Sequence, residues 1–233
     1  MLASMRSQGQ IGLRFATQIA ARTPRLVPPP ATHGLFGSLE LMGTPMSFTR
    51  GAEIYGESES AEYVYKVIDG AVRTYKVLSD GRRQIGDFHL PGDIFGLEGG
   101  KEHSFSAEAV GDTTVLVIRR TSILGLAARD SEVSSELLAC TARELNRAHG
   151  HVMLLVKTAQ ERVAAFLLEM ATRLAGNSVE LPMSRQDIAD YLGLTIETVS
   201  RTLTQLERAA AIELPSSRRV VLRNRDALSR MNA

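Results

Sequence analysis

The sequence has 233 residues but only one cysteine, and it lacks any run of about 18 uncharged apolar residues. A single thiol, Cys140, excludes an intrachain disulfide, and it excludes a cluster of cysteine ligands for zinc or an iron–sulfur centre. A reducing cytoplasm is therefore the expected setting. The missing apolar run excludes a membrane-spanning helix, so we expect no membrane partner.

Net charge is also small, because 27 Lys and Arg residues oppose 26 Asp and Glu residues. This balance gives no overall sign of nucleic-acid binding. The distribution is nevertheless uneven, since residues 201–233 contain seven arginines and three acidic residues. The C-terminal end is therefore locally basic. The length allows about two domains, each able to bury its own core.

The first 33 residues contain no acidic side chain. Their arginines lie among Ser, Gln, Ala and Thr, a composition that resembles a transit peptide. Against that reading, the segment ends in three consecutive prolines at residues 28–30. We interpret residues 1–33 as a mobile N-terminal tail.

Short alternating runs follow, separated by glycine-containing turns. Asp69-Gly70 and Asp80-Gly81 each stand between two alternating runs, and Asp-Gly in that position is a strong hairpin signal. About eight such strands predict an antiparallel jelly roll. We assign residues 34–128 to this sensor-like β-barrel domain.

Residues 131–157 contain no proline, and their apolar positions repeat every seven residues. This pattern predicts a long helix with a coiled-coil-like seam. The seam predicts that residues 129–157 pair with a second copy in a parallel homodimer; the alternative is a helix packed on its own barrel. Cys140 is interpreted as a small core residue rather than a redox switch, and Arg147 is assigned to a solvated face. The predicted interface consists of Leu138, Ala142, Leu145, His149, Val152 and Val156.

Residues 183–207 contain the signals of two short helices joined at a glycine. Ser184 and Asp187 predict the N-terminal cap of the first helix, and Gly193 permits the left-handed conformation that ends it. Thr195 is a second candidate cap. Helical spacing then predicts an inward face made of Val199, Leu203, Leu206 and Ala210.

The outer face of the second helix has chemistry suited to the DNA major groove. Arg201 can donate two hydrogen bonds to guanine, Glu197 can accept one from cytosine, and Ser200 can contact base or phosphate. Ile196 lies at the boundary, where it either joins the core or touches a thymine methyl group. The alternative is that Glu197 and Arg201 form an ordinary solvated pair four residues apart. The two-helix context favours base reading by Glu197 and Arg201, and Ser200 and Ile196 are the further candidates for base contacts.

Residues 196–201, Ile-Glu-Thr-Val-Ser-Arg, resemble the recognition helix of the CRP/FNR superfamily of bacterial transcription regulators, in which Glu-x-x-Ser-Arg marks the FNR and FixK branches. The resemblance implies a TTGAT-type half-site read by Glu197, Ser200 and Arg201. It also implies an activator that recruits RNA polymerase in low-oxygen or nitrogen-fixation gene control. FNR holds an iron–sulfur centre with N-terminal cysteines, which this sequence lacks, so no cofactor is expected.

The barrel segments 51–57, 80–85 and 91–96 resemble the cyclic-nucleotide-binding-type barrel of the same superfamily. Members that bind a nucleotide use a glutamate and an Arg-Ser pair, because the ring phosphate needs a bidentate guanidinium. Here Leu97 stands at the position of that glutamate, with Glu98 beside it, and His103-Ser104 replaces Arg-Ser. We therefore expect no small-molecule effector. A cyclic-nucleotide-dependent CRP-like regulator is the alternative.

A metal-dependent cupin enzyme is the rival interpretation of a jelly roll. Cupins need a His-x-His pair that converges on a metal. His149-Gly150-His151 has this spacing, but it falls on a predicted helix, where side chains two residues apart diverge. His89 and His103 are then structural or surface residues, so we expect neither a metal site nor catalysis.

Residues 158–233 are predicted to form a winged helix-turn-helix that binds double-stranded DNA. A support helix spans residues 158–174, a two-stranded wing flanks residues 216–218, and Asn224 caps a last helix that ends near Ser229. The fold class is therefore α+β: a β jelly roll, a long dimerisation helix and a winged helix-turn-helix. Phosphate contacts, which position a protein without reading sequence, are assigned to Thr195, Thr198, Thr204, Ser184, Arg185, Arg218 and Arg219.

Overall fold

The computed structural model describes residues 35–232, and the predicted tail at residues 1–33 lies outside them. A short helix, α1 (Leu35–Met42), precedes the barrel. This helix was not predicted, because its eight residues are too few to show a helical period. None of the helices in residues 35–232 combines the length and the apolar composition that a bilayer crossing requires.

Eight strands form two antiparallel four-stranded sheets, which confirms the predicted jelly roll. The sheet orders are β1-β8-β3-β6 and β2-β7-β4-β5. Buried side chains from both sheets, including Val67, Val72 and Val115, share one core between them. The strands are β1 (Thr44–Phe48), β2 (Glu53–Tyr55), β3 (Tyr63–Asp69), β4 (Val72–Val77), β5 (Arg83–His89), β6 (Ile94–Phe95), β7 (Ser106–Ala109) and β8 (Thr113–Arg119).

The Asp-Gly turn between β3 and β4 requires glycine. Gly70 has φ +84°, and a Cβ there would lie 2.5 Å from the carbonyl oxygen of Asp112. Both the backbone conformation and the neighbouring strand therefore exclude a larger residue. The hairpin predicted at Asp69-Gly70 is nevertheless wrong, because β3 and β4 belong to different sheets and this turn carries the chain from one to the other. The hairpin predicted at Asp80-Gly81 is confirmed, since β4 pairs with β5.

Two helices follow the barrel, α2 (Arg120–Ala127) and α3 (Ser131–Leu154). Asp130 caps α3, because its carboxylate accepts hydrogen bonds from the backbone N–H groups of Glu132 and Val133. The helix ends at Leu154, before the predicted end at residue 157. Val156 consequently lies in the turn after α3 rather than on the helix.

The C-terminal part contains α4 (Ala159–Arg173), α5 (Arg185–Leu192), α6 (Ile196–Arg208) and α7 (Arg225–Asn232). Its sheet has three strands in the order β10-β11-β9, with β9 (Ser178–Glu180), β10 (Ile212–Glu213) and β11 (Arg219–Leu222). The prediction of a two-stranded wing therefore missed one strand of the sheet, because β9 is too short to show alternation. Asn224 caps α7 as predicted, although the helix continues past Ser229.

The apolar core of the C-terminal helices extends into the barrel. Ile85 and Phe88 of β5 are almost fully buried in the same apolar cluster as α4, α5 and α6. The ring of Phe88 lies 5.4 Å from that of Tyr191 and 6.4 Å from that of Phe166, measured between centroids. The register shifts opposite β4 so that Gly86 is an extra residue. This β-bulge turns Ile85 and Phe88, three residues apart, towards the C-terminal helices.

Candidate nucleic-acid interface

The first helix of the predicted pair, α5, begins with the cap that its sequence indicates. The Asp187 carboxylate accepts from the Ser184 backbone N–H at 3.0 Å, and Asp187 N–H donates to the Ser184 hydroxyl at 3.1 Å. This capping box is reciprocal, so it satisfies two backbone donors at once. The helix ends at Gly193, which has the left-handed conformation with φ 62° and ψ 40°. Both predictions are confirmed.

The second helix, α6, has one buried face and one exposed face. Thr195 caps it by accepting from the backbone N–H of Thr198 at 3.2 Å. Ala210 was predicted to face inward, and this is wrong, because it lies beyond Arg208 with φ 53° and is exposed. Thr202 is buried instead, which its polar side chain did not suggest. The buried residues of α6 are Val199, Thr202, Leu203 and Leu206.

Glu197, Arg201 and Thr204 are exposed on the opposite face of α6, and Ser200 is half-buried. Hydrogen bonds from its own backbone and from the Thr195 hydroxyl lower the pKa of Glu197, which keeps it a carboxylate and therefore an acceptor. Within residues 35–232, Glu197 and Arg201 form no salt bridge with each other. Neither side chain is therefore neutralised by the other, and both are exposed to a ligand.

The remaining predicted base contact, Ile196, is 37% exposed at the first position of α6. Its side chain therefore does not belong to the buried core. Ser200 receives a long hydrogen bond of 3.4 Å from Arg185, which links the exposed faces of α5 and α6. These residues form one continuous polar surface at the N-terminal end of α6.

The predicted phosphate contacts lie around this surface, in several different environments. The hydroxyl of Ser184 is held by Asp187 in the cap, and Thr204 donates its hydroxyl hydrogen to the Ser200 carbonyl. Arg218 donates to the Pro182 carbonyl at 2.9 Å, while Arg219 donates to the Ser178 hydroxyl at 3.2 Å. Arg219 is exposed and Arg218 is half-buried.

Two arginines of the barrel hold α5 from behind, and sequence reasoning missed both. Arg73 of β4 and Arg83 of β5 each donate to the same Asp187 oxygen, at 2.8 Å and 2.7 Å. Arg83 also donates to Asp190 at 2.8 Å, and Arg73 also pairs with Glu108 at 2.6 Å. More than 100 residues separate the partners, so no local pattern indicates the contact.

Asp187 thus belongs to the N-terminal cap of α5 and also binds the two barrel arginines. Burial opposes its ionisation, but hydrogen bonds from Ser184 and the two guanidinium groups outweigh that effect and lower its pKa. The carboxylate is 5% exposed and carries a full charge that only these partners compensate. The barrel therefore supports the helix pair through a buried ionic junction.

The long helix α3 presents an apolar stripe to solvent. Leu138, Leu145 and Val152 are 71%, 55% and 61% exposed, and Val156 in the following turn is 77% exposed. The other predicted interface residues, Ala142 and His149, are exposed as well. Cys140 lies on the opposite side and is 5% exposed in an apolar cluster, as expected for a core residue. The stripe is larger than scattered surface residues usually produce.

A cluster of acidic and basic side chains joins α3 to the barrel. Asp87, His89 and Glu144 place one possible ligand atom each within 4.8 Å of one another, which would be compatible with a metal ion. The guanidinium of Arg147 already pairs with both carboxylates, however, and it also lies 3.2 Å from Asp93. The assignment of Arg147 to a solvated face is therefore wrong, because the charges of the barrel draw it inward.

A cavity of about 250 Å³ lies beside this cluster, between the barrel, α3 and α5. Small-molecule sites usually measure roughly 300–1,000 Å³, so the cavity is small for an effector. Its wall is part apolar and part charged. The lining includes Thr74, His89, Phe95, Glu98, Arg147 and Tyr191.

Glu98, His103 and Ser104, at or beside the positions that correspond to nucleotide contacts, make contacts within the protein. Glu98 accepts from the backbone N–H of Ser104 at 3.0 Å and from its hydroxyl at 2.9 Å. The ring of His103 stacks on that of Tyr55 with centroids 3.6 Å apart, and burial lowers the pKa of His103. A neutral imidazole offers no positive charge to a phosphate.

Comparison with known proteins matches both halves of the chain. The model of the cyclic nucleotide-binding domain matches residues 45–130, and that of the Crp-like helix-turn-helix domain matches residues 161–231. The nitrogen fixation regulation protein FixK of Azorhizobium caulinodans is 51% identical over 199 residues, 82% of this chain and 80% of that protein. FixK of Rhizobium meliloti is 45% identical over 78% of this chain and 84% of that protein. The solved structure of FixK2 from Bradyrhizobium japonicum has a TM-score of 0.80 at 55% identity, over 82% of this chain and 98% of that chain.

Proposed function

The chain belongs to the CRP/FNR family of transcription regulators, in its FixK-type branch, and we propose that it binds an inverted TTGAT-type repeat as a homodimer. It is a DNA-binding regulator and not an enzyme. The observation that carries the proposal is the exposed carboxylate and guanidinium of Glu197 and Arg201, held on a helix whose other face is buried. We further propose that it acts in the cytoplasm, where bacterial DNA lies.

Base reading by α6 is supported by the shape and the charge of its exposed face. Glu197 and Arg201 lie one helical turn apart, so both reach the same few base pairs. An ionised Glu197 accepts from a cytosine amino group, while Arg201 donates to guanine O6 and N7. Ser200 and Ile196 lie beside them for a further base or methyl contact. Thr195, Thr198, Thr204, Ser184, Arg185, Arg218 and Arg219 would then contact phosphates.

The homodimer is supported by the apolar stripe on α3. One recognition helix reads only a few base pairs, whereas two helices related by a two-fold axis read an inverted repeat about one turn long. Pairing of two copies would cover Leu138, Leu145 and Val152, which otherwise face water. Dimerisation would therefore supply both the burial of the stripe and the second half-site.

A promoter role follows from the relatives rather than from a contact in this chain. Three relatives are named as nitrogen fixation regulation proteins, and the AadR protein of Rhodopseudomonas palustris, 42% identical, is named as a transcriptional activatory protein. We propose that this chain likewise activates transcription by recruiting RNA polymerase, in low-oxygen or nitrogen-fixation gene control. Run-off transcription with purified polymerase on a TTGAT-containing promoter tests activation directly.

Replacing Arg201 or Glu197 by alanine is expected to weaken binding to a TTGAT repeat by about 1–3 kcal/mol each, because each loses a base-specific contact. Fluorescence anisotropy with a labelled repeat and a scrambled duplex measures the effect. The control is Arg208→Ala, which removes the same charge at the far end of α6. It should affect both duplexes alike. Equal affinity of the unmodified protein for repeat and scrambled DNA would contradict the proposal.

Cyclic AMP is expected to leave the affinity for the repeat unchanged, because the Glu98–Ser104 contacts and the stacked His103 occupy the place of the nucleotide contacts. The same anisotropy titration, repeated with saturating nucleotide, tests this expectation. Binding that appears only in the presence of cyclic AMP would instead support the cyclic-nucleotide-dependent alternative. Thermal unfolding with and without the nucleotide provides an independent measurement, since a ligand of the folded state raises Tm.

A further inference from the structure

Arg162, in the first turn of α4, binds three backbone carbonyls from separate parts of the chain. Its Nε donates to the Lys157 carbonyl at 2.8 Å, Nη1 to the Leu192 carbonyl at 2.8 Å and Nη2 to the Leu155 carbonyl at 2.6 Å. Leu155 follows the end of α3, Lys157 lies in the turn before α4, and Leu192 is the last residue of α5. One side chain therefore joins the long helix, the turn and the helix-turn-helix.

The acceptors explain why an arginine stands at this position. The last carbonyls of a helix have no partner within it, and the C-terminal end of a helix carries a partial negative charge. The Arg162 guanidinium meets the ends of α3 and α5 together. Its planar fork supplies several fixed donors, whereas a lysine ammonium is a point charge that cannot reproduce this geometry.

A second contact joins the same two helix ends. Because a carbonyl can only accept, the His151 Nε2–H donates to the Tyr191 carbonyl at 2.7 Å. The rings of His151 and Tyr191 stack with centroids 4.0 Å apart and an interplanar angle of 14°. Successive carbonyls at residues 191 and 192 are thus bound to α3 and to Arg162. The end of α5 is therefore fixed immediately before Gly193, where the chain turns into α6.

We propose that Arg162 is a positioning residue that fixes the angle between α3 and the helix-turn-helix, and so sets the half-site spacing that the dimer accepts. This inference rests on the proposed dimer that reads an inverted repeat. If paired α3 helices define the two-fold axis, movement at residues 155–158 changes the separation of the two α6 helices. One base pair more or less shifts a half-site by about 3.4 Å along DNA and by roughly 35° around it. With the turn held by Arg162, the dimer should fit one spacer length. With a more flexible turn, it should also accept spacers one base pair longer or shorter.

The test uses the full chain and four duplexes: the repeat with its best spacer, the repeat with one base pair added, the repeat with one removed, and a single half-site. The variants are Arg162→Met, which removes the donors, and Arg162→Lys, which keeps the charge. Arg129→Met is the matched control, because Arg129 is exposed at the other end of α3. Anisotropy gives the affinity of each protein for each duplex.

We expect the unmodified protein and Arg129→Met to prefer the best spacer by at least about tenfold. Arg162→Met should lose about tenfold of this preference, corresponding to the loss of charge-assisted hydrogen bonds, and Arg162→Lys should lie between them. Affinity for the single half-site should stay within about twofold for all proteins, because the base contacts on α6 are untouched. A general folding defect would lower every affinity instead.

Two results overturn the inference and are distinguishable. A spacer preference in Arg162→Met equal to that of the unmodified protein refutes the role of Arg162 but leaves the proposed function intact. No preference of the unmodified protein for the repeat over a single half-site refutes the dimeric reading and the inference with it. If circular dichroism shows that Arg162→Met does not fold, the spacer preferences of Arg162→Lys and His151→Phe test the inference instead. His151→Phe keeps a stacking ring and removes the hydrogen-bond donor, so it too should lower the spacer preference.

Discussion

Replacing Leu145 by glutamate is expected to convert the proposed dimer into monomers and to weaken binding to the proposed inverted repeat by about 10²- to 10⁴-fold, because the second half-site no longer binds within the same molecule. Leu145 is 55% exposed in the single chain, so the substitution should not disturb the fold of the monomer. It would place a charge in the middle of the proposed α3 seam, next to the same charge of the second copy. Sedimentation velocity and anisotropy measure the two effects together.

The matched control for this experiment is Arg143→Glu. Arg143 is exposed and lies two residues before Leu145, and a rotation of about 200° places its side chain across the helix from the seam. It should leave both the dimer and the DNA affinity close to those of the unmodified protein. If Leu145→Glu remains dimeric at micromolar concentration, the stripe on α3 is not the dimer interface.

Replacing Asp187 by asparagine is expected to lower the free energy of unfolding by about 3 kcal/mol at neutral pH, because it leaves the buried charges of Arg73 and Arg83 without their shared partner. We do not expect a larger loss of stability, because Arg73 still pairs with Glu108 and Arg83 still pairs with Asp190. Urea unfolding followed by circular dichroism gives the value. Asp190→Asn is the comparison. Asp190 pairs with Arg83 but not with Arg73, so this substitution should lower the free energy of unfolding by clearly less.

The contribution of Asp187 also has a defined pH dependence. Its pKa is lowered in the folded protein, so the stabilisation is complete above the unfolded value of about 3.9 and is lost as the pH falls through the folded value. The stability difference between the unmodified protein and Asp187→Asn should therefore be constant at neutral pH and shrink in acid. A difference that grows on acidification would contradict the ionic account of this junction.

Local sequence signals predicted much of the fold and most of the candidate surface. The hairpin at Asp80-Gly81, the caps at Ser184 and Thr195 and the left-handed Gly193 each depend on residues only a few positions apart, so the sequence is enough to predict them. The apolar repeat of α3 likewise predicted the stripe that the structure exposes. These are the features for which neighbouring residues determine the conformation.

The contacts between the barrel and the C-terminal helices could not be predicted in the same way. Arg73 and Asp187 are 114 residues apart, and each is an ordinary charged residue in its own neighbourhood. The inward position of Arg147 depends on Asp87 and Asp93 in the barrel, which no helical pattern reveals. Arg162 is likewise defined by carbonyl groups, which every residue carries, so its role emerges only once the turn and α5 are placed around it.

The bulge at Gly86 has a consequence for attempts to engineer this protein. Because Phe88 completes the apolar cluster of the C-terminal helices, residues 158–233 expressed alone would expose the rings of Phe166 and Tyr191 to water. A chimaera that joins this DNA-reading segment to a foreign barrel would face the same gap unless the incoming strand offered an aromatic side chain at the corresponding place. The barrel and the C-terminal segment therefore cannot be exchanged independently between proteins.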